Sequence, residues 1–215
     1  MTSTVFDLIQ KGGAIMWPIL FCSVIAVGVF LERLTFFYKN AAPIDPFLNG
    51  ISNLLRQGKY EEALTRCDEA YGPAVKVVQA AILKRHLPKA ELREVVQEVA
   101  QMQIPRLEAH IMVLSTIGQI APLLGLLGTV LGMIGAFTKI SQAMGAVLVT
   151  DLSQSIWEAL IATASGLTIA IPAYVAYYFF TSRVHAVVTD MERCGMEVIQ
   201  ILSEPIKKDE QSAQT

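Results

Sequence analysis

Three long stretches of this sequence carry no charged side chain. Ala14–Leu31 runs for 18 residues, Ile111–Thr138 for 28 and Ala159–Ser182 for 24. A helix needs about 20 mainly apolar residues to cross a bilayer, and a buried helix of a soluble core seldom offers a run as long as the second or third. The first is shorter, but an apolar LTFFY resumes after Glu32 and Arg33. Only 17% of the 215 residues are charged and 53% are hydrophobic, so the runs account for much of the missing charge. The fold class read from this pattern is all-α, a three-span membrane protein. A cleaved secretory signal is the alternative for the first run. Such a signal has a basic start and a small-residue cleavage site; here Asp7 and Lys11 cancel and ERLTFFYK follows. A retained span is favoured.

Lys and Arg beside the spans set the orientation. Lys11 and Lys139 fall on one side of the threaded chain, and the other 15 of the 17 basic residues fall on the opposite side. Arg33, Lys39, Arg106 and Arg183, next to the spans, all agree. The N-terminus is therefore expected outside and the C-terminus in the cytoplasm. The resulting divisions are a short outer N-terminus with the first span (1–37), a cytoplasmic helical region (38–110), the second and third spans with a short outer loop (111–182), and a cytoplasmic C-terminal helix and tail (183–215).

The region 38–110 is electrically mixed, with ten basic and nine acidic residues, and Gly and Pro cut it into short helical pieces. YEEALTRCDEA puts Ala63, Cys67 and Ala70 on one face, and AVKVVQAAIL repeats apolar residues at helical spacing. From Lys89 a single long helix is expected to run towards the second span, with Pro105 its one strong interruption. The third span is expected to continue at helical period to about Leu202. The closing KKDEQSAQT reads as a polar, disordered tail.

The inventory of chemistry is sparse. Cys22, Cys67 and Cys194 are far apart and suit reduced structural thiols. His86, His110 and His185 are scattered. GLLGTVLG lacks the Gly-Lys-Ser/Thr ending of a phosphate loop. A net charge of −2 gives no basic footprint for nucleic acid. No nucleophile has a candidate base nearby, so neither an enzyme nor a metal or cofactor site is expected.

The spans carry a clearer signal. Ser115, Gly118, Pro122, Gly125, Thr129, Gly132 and Ala136 alternate by three and four residues, which keeps one seam on one helix face. Ala159, Thr163, Gly166, Ala170 and Ala173 do the same in the third span, and Glu158, Ala162, Ser165, Ile169, Pro172 and Ala176 form a neighbouring row. Small residues let helix backbones approach closely in lipid, so these seams fit either a tight helix–helix interface or a pore lining. Thr129 and Thr163 are the hydroxyls near their middles. No Asp, Glu, Lys, Arg or His lies in the central part of a span, and Glu158 stands at the outer mouth of the third. Intramembrane carboxylates are the usual proton carriers. If such a chain conducts ions, it does so with hydroxyls and water, or with a carboxylate from another chain.

The stretches GGAIMWPILFCSVIAVGVFLERL, GKYEEALTRCDEAYGPAVKVVQAAI, IAPLLGLLGTVLGMIGAF and SIWEALIATASGLTIAIPAYVAYY resemble the ExbB/TolQ branch of the MotA/TolQ/ExbB proton-channel family, over nearly the whole chain. The resemblance implies a homopentamer in a bacterial inner membrane. Its central pore would enclose the single membrane helices of an ExbD/TolR-type partner, which supplies an intramembrane Asp. It implies that Thr129 (in GTV) and Thr163 (in ALIAT) line the ion path, and that Glu158 (in EAL) serves as relay, pore mouth or subunit contact. A TonB- or TolA-type protein would carry the force onwards. A flagellar-type stator subunit and a non-conducting membrane scaffold are the competing readings. The residues leave open H⁺ against Na⁺ and TonB-type against Tol-type output.

Overall fold

The computed structural model describes residues 13–39, 44–142 and 149–204. The expectations for Asp7, Lys11 and the KKDEQSAQT tail lie outside them, as does most of the outer loop. The described residues form seven helices: α1 (Met16–Lys39), α2 (Ile44–Arg56), α3 (Tyr60–Glu69), α4 (Pro73–Leu83), α5 (Lys89–Glu108), α6 (Ile111–Gln142) and α7 (Val149–Ser203). They contain three helices long and apolar enough to cross a membrane: α1, α6 and α7.

The chain divides into two compact units. The first takes residues 1–34 and 110–180, the second residues 35–109 and 181–215. In the first unit Cys22, Ile25 and Ala26 of α1 pack against a core of Ile117, Ala121, Ala170 and Ala173 from α6 and α7. Phe30 meets the fully buried Phe180 at 5.6 Å between ring centroids. Most other large apolar side chains of this unit point outwards, Trp17, Phe21, Leu123 and Ile171 among them. That inversion is what a lipid-facing surface demands. Both α1 and α7 carry an exposed Trp near one end and an exposed Tyr 21 residues later, Trp17 with Tyr38 and Trp157 with Tyr178. At 1.5 Å per residue each pair is roughly 32 Å apart, close to the hydrocarbon thickness that such amphipathic rings bracket.

The second unit is built from short helices around its own core. Leu48, Ile51 and Leu55 of α2, Ala63 and Cys67 of α3 and Val77, Val78 and Ile82 of α4 are all buried. Gly58, at φ 73°, ends α2: its amide bonds to the Leu55 carbonyl and the Lys59 amide to the Leu54 carbonyl. This paired closure needs a left-handed residue, which glycine adopts without strain. On the last part of α7, Gly195 lets Val96 and Val77 approach. A Cβ there would lie 2.7 Å from one valine methyl and 3.3 Å from the other. Ser52 donates to Glu197 at 3.1 Å, and Arg193 donates to Asp45.

Two expectations about helix extent come out differently. The third span continues without a break to Ser203, as its periodicity predicts. The second does not continue from α5. Pro105 lies inside α5, and the break falls later, at Ala109–His110, where His110 adopts φ 60°. A left-handed non-glycine residue cannot propagate a right-handed helix, so α6 restarts with the Val113 amide on the His110 carbonyl. Ala63 and Cys67 are buried as their spacing implies; Ala70, half-buried, instead ends α3 in extended conformation.

Cys67 and Cys194 are buried free thiols and Cys22 is half-buried. Burial, with Asp68 beside it, pushes the Cys67 thiol up to about 11. Its thiolate fraction at pH 8 is therefore small, and alkylation requires thiolate. Iodoacetamide labelling of Cys67 in the folded chain, followed by mass spectrometry, is expected to run roughly 100-fold slower than that of an exposed thiol. Labelling at the exposed rate would contradict this packing.

Candidate ion-path site

The site is built where α6 and α7 run antiparallel against each other. Hydrophobic burial does not hold two apolar helices together in lipid, so contact depends on close backbone approach. The structure supplies that approach along a row of small residues. A Cβ placed on Gly118 would meet the Tyr174 ring at 3.0 Å, and one on Gly125 the Thr163 Cα at 3.0 Å. One on Gly128 would overlap the Ala162 Cβ, and one on Gly132 would meet the Ala159 Cβ at 2.8 Å. From the α7 side, a Cβ on Gly166 would lie 2.5 Å from the Ala121 carbonyl oxygen. Across this sequence of contacts, rising numbers on α6 meet falling numbers on α7.

The α6 row in contact is thus Gly118, Ala121, Gly125, Gly128 and Gly132. It shares three glycines with the seam read from sequence, but Ala121 and Gly128 replace Pro122 and Thr129 as the residues turned towards α7. Pro122 and Thr129 are half-buried at its edge. The two rows have the same three–four spacing, and their mean directions differ by only about 40° around the helix, so spacing alone does not choose between them. On α7, Ala159, Gly166 and Ala170 are buried as the seam requires, and Ala162 of the neighbouring row joins them.

The two threonine hydroxyls bond to different backbone carbonyls of α6. The Thr163 hydroxyl donates to the Gly125 carbonyl at 3.1 Å, across the helix pair. That carbonyl is also the one that the α-helical ladder pairs with the amide of Thr129, four residues on. The Thr129 hydroxyl itself donates to the Leu126 carbonyl at 2.6 Å. Both side chains are half-buried. A hydroxyl that donates to a carbonyl keeps its lone pairs, so each oxygen can accept from water or coordinate a cation.

Glu158 stands apart from them. It is half-buried and accepts from Gln154, one turn earlier on its own helix, at 3.2 Å. Five positions separate it from Thr163, roughly 140° around the helix. Near the same end of the span, Lys139 donates to the buried Ser155 at 3.1 Å, joining α6 to α7. Sequence separation hid that contact, since no motif links positions 139 and 155. Among the described residues no group of three His, Cys, Asp or Glu side chains gathers as a metal site.

Small-residue seams with hydroxyls at their centre occur in many membrane helices. The pattern of this chain matches a specific family model, that of the MotA/TolQ/ExbB proton channel family, over residues 69–193. The chain belongs to that family. It is 31% identical over 173 residues to the biopolymer transport protein exbB1 of Vibrio cholerae, covering 78% of this chain and 75% of that protein. It is 30% identical over 184 residues to the putative biopolymer transport protein ExbB-like 1 of Synechocystis, covering 84% of this chain and 72% of that one. A Tol-Pal system protein TolQ from Pseudomonas aeruginosa is 45% identical over 78 residues, 36% of this chain and 33% of the relative. Relatives named ExbB and TolQ both appear, so this proton-channel family member lies in the ExbB/TolQ branch.

Proposed function

We propose that this chain is the channel-forming subunit of a proton-driven motor in a bacterial inner membrane. Five copies surround a pore that holds the membrane helices of an ExbD/TolR-type partner, and the partner's intramembrane Asp carries the proton that this chain's spans have no central acid to carry. Thr129 and Thr163 line the path beside that Asp, and Glu158 guards its outer mouth. The N-terminus faces outwards and the second unit lies in the cytoplasm. A TonB- or TolA-type protein takes the resulting force to the outer membrane.

The observation that carries this reading is the Thr163 hydroxyl's bond across the helix pair to the Gly125 carbonyl, four residues before Thr129, at the centre of a span with no acid, in a member of a proton-channel family. Taking up a proton would discharge the partner's Asp, lower its cost in an apolar pore and shift the balance between arrangements of the partner helices.

The test is reconstitution. Vesicles containing this chain together with its single-span, Asp-bearing partner are placed in a pH gradient and proton entry is followed with an internal pH dye. Entry is expected only when both proteins are present, and it should stop when the partner's Asp is replaced by Asn. Equal entry with or without the partner, or none in any combination, would overturn the proposal, the second result favouring a scaffold.

A further inference from the structure

The three points at which the chain crosses between its two units fall at residues 34–35, 109–110 and 180–181. Beside the first two, within the first unit, stands a cluster of ionisable side chains that the ion-path reading does not use. Arg33 of α1 is almost completely buried, its side chain 4% exposed. Its Nη2 lies 3.1 Å from Glu32 Oε1 and 3.1 Å from His110 Nδ1. The same Nδ1 lies 2.9 Å from Glu32 Oε2. Counting back from Tyr38, Glu32 and Arg33 lie roughly 8–9 Å inside the aromatic boundary of α1. Ionisable groups at that depth are costly unless they are paired, and they usually mark a function.

The two contacts of Nδ1 cannot both be made in one protonation state. A bare Nδ1 accepts a hydrogen bond from Arg33 and has nothing to donate to Glu32. A protonated Nδ1 donates to the Glu32 carboxylate and no longer accepts from the guanidinium. The geometry holds both partners within reach of one nitrogen. The backbone also fixes where the ring stands: His110 is the left-handed residue between α5 and α6, a conformation that holds it at the junction.

We infer that His110, Glu32 and Arg33 form a proton-binding site in which the imidazole changes partner between α1's arginine and α1's glutamate as it gains or loses a proton. The proton comes from the aqueous phase and binds Nδ1, with Nε2 keeping its own hydrogen. The cluster then passes from neutral (Arg⁺, Glu⁻, imidazole) to a net single positive charge, and the α1–α6 tether passes from a neutral acceptor bond to an ion pair. The groups facing the imidazole from α1 are Glu32 and Arg33. In its own chain Arg106 and Glu108 precede it, and no titratable side chain follows before Lys139. On α7, whose Phe180 packs on Phe30, the titratable and charged side chains on either side of that phenylalanine are Tyr177, Tyr178 and Arg183. His110 directly precedes the N-terminus of α6, whose dipole disfavours a cation; Glu32 is the group that offsets it. The site does not depend on the ion path, and its test reads the imidazole, not proton flux.

The experiment is nitrogen-15 NMR of the full chain in lipid nanodiscs with labelled histidine, recorded from pH 5 to 8.5. His110→Asn identifies the signals by removing them, because Asn tolerates the left-handed backbone. At high pH the neutral ring is expected as the Nε2–H tautomer with Nδ1 bare. At low pH a downfield-shifted, strongly hydrogen-bonded Nδ1 proton is expected. Glu32→Gln should remove that downfield shift and leave the high-pH tautomer in place. Arg33→Gln should move the neutral ring towards the Nδ1–H tautomer. A wild-type neutral ring carrying its proton on Nδ1, or a low-pH Nδ1 signal that is the same in Glu32→Gln, would overturn the inference. Because Arg33 is buried and its variant is the one at risk of misfolding, the Glu32→Gln result at the half-exposed carboxylate decides by itself.

Discussion

Gly166→Ala is expected to separate the second and third spans. The added Cβ would stand 2.5 Å from the Ala121 carbonyl oxygen and 3.3 Å from the Gly125 Cα. These are backbone atoms, and no rotamer change moves them aside. The helices must therefore part, and parting loosens the adjoining contacts at Gly125 and Gly128 as well. Overpacking of this kind costs about 1–3 kcal/mol, and Gly166→Leu should cost more. Thermal unfolding of the full chain in detergent measures it. Gly28→Ala provides the contrast. Nothing lies within 4 Å of a Cβ there, and alanine is the better helix former by about 1 kcal/mol, so that variant is expected to be as stable as the native chain or more so. If Gly166→Ala matched Gly28→Ala, the close approach of α6 and α7 would be wrong.

Thr163→Val is expected to carry a large functional loss. The substitution keeps the β-branched shape and removes the hydroxyl that donates to the Gly125 carbonyl. As a structural change it should cost about 1 kcal/mol, the net worth of one hydrogen bond. On the proposed path the same oxygen also receives the moving proton or its water. Losing a hydrogen bond to a charged species costs about 1.5–3 kcal/mol, which corresponds to a fall in rate of roughly tenfold or more. Proton entry into the reconstituted vesicles should fall by that factor in Thr163→Val and in Thr129→Val. Thr163→Ser, which restores the hydroxyl, should recover it. Equal loss in the serine and valine variants would show that shape alone matters at this position and would remove Thr163 from the path.

Much of the membrane unit was legible from where the charges stand. The charge-free runs fall within α1, α6 and α7, save for Ala14 and Ile15 just before α1, and the helical period after Arg183 carries α7 to Ser203. Gly118, Gly125 and Gly132 were legible as members of one small-residue row because three–four spacing and small size point the same way, while packing face and pore lining stayed open. The partner residues Ala121 and Gly128 were not, since an equally regular row runs beside theirs and only the helix rotation in three dimensions selects one. The break at His110 had no sequence signal. Pro105 is the residue that looks like a stop, yet α5 accommodates it, whereas a histidine in left-handed conformation is set by tertiary packing. The Glu32–Arg33–His110 cluster was hidden for a simpler reason: its members are 77 and 78 residues apart.

The continuity of α7 has a mechanical consequence. Its 55 residues form one unbroken helix, roughly 80 Å along its path, whose ladder lacks one amide at Pro172. Along that length no loop exists to take up a twist, so a rotation of one part of α7 is passed along the same helix. Between α5 and α6, by contrast, the right-handed backbone is interrupted at Ala109–His110.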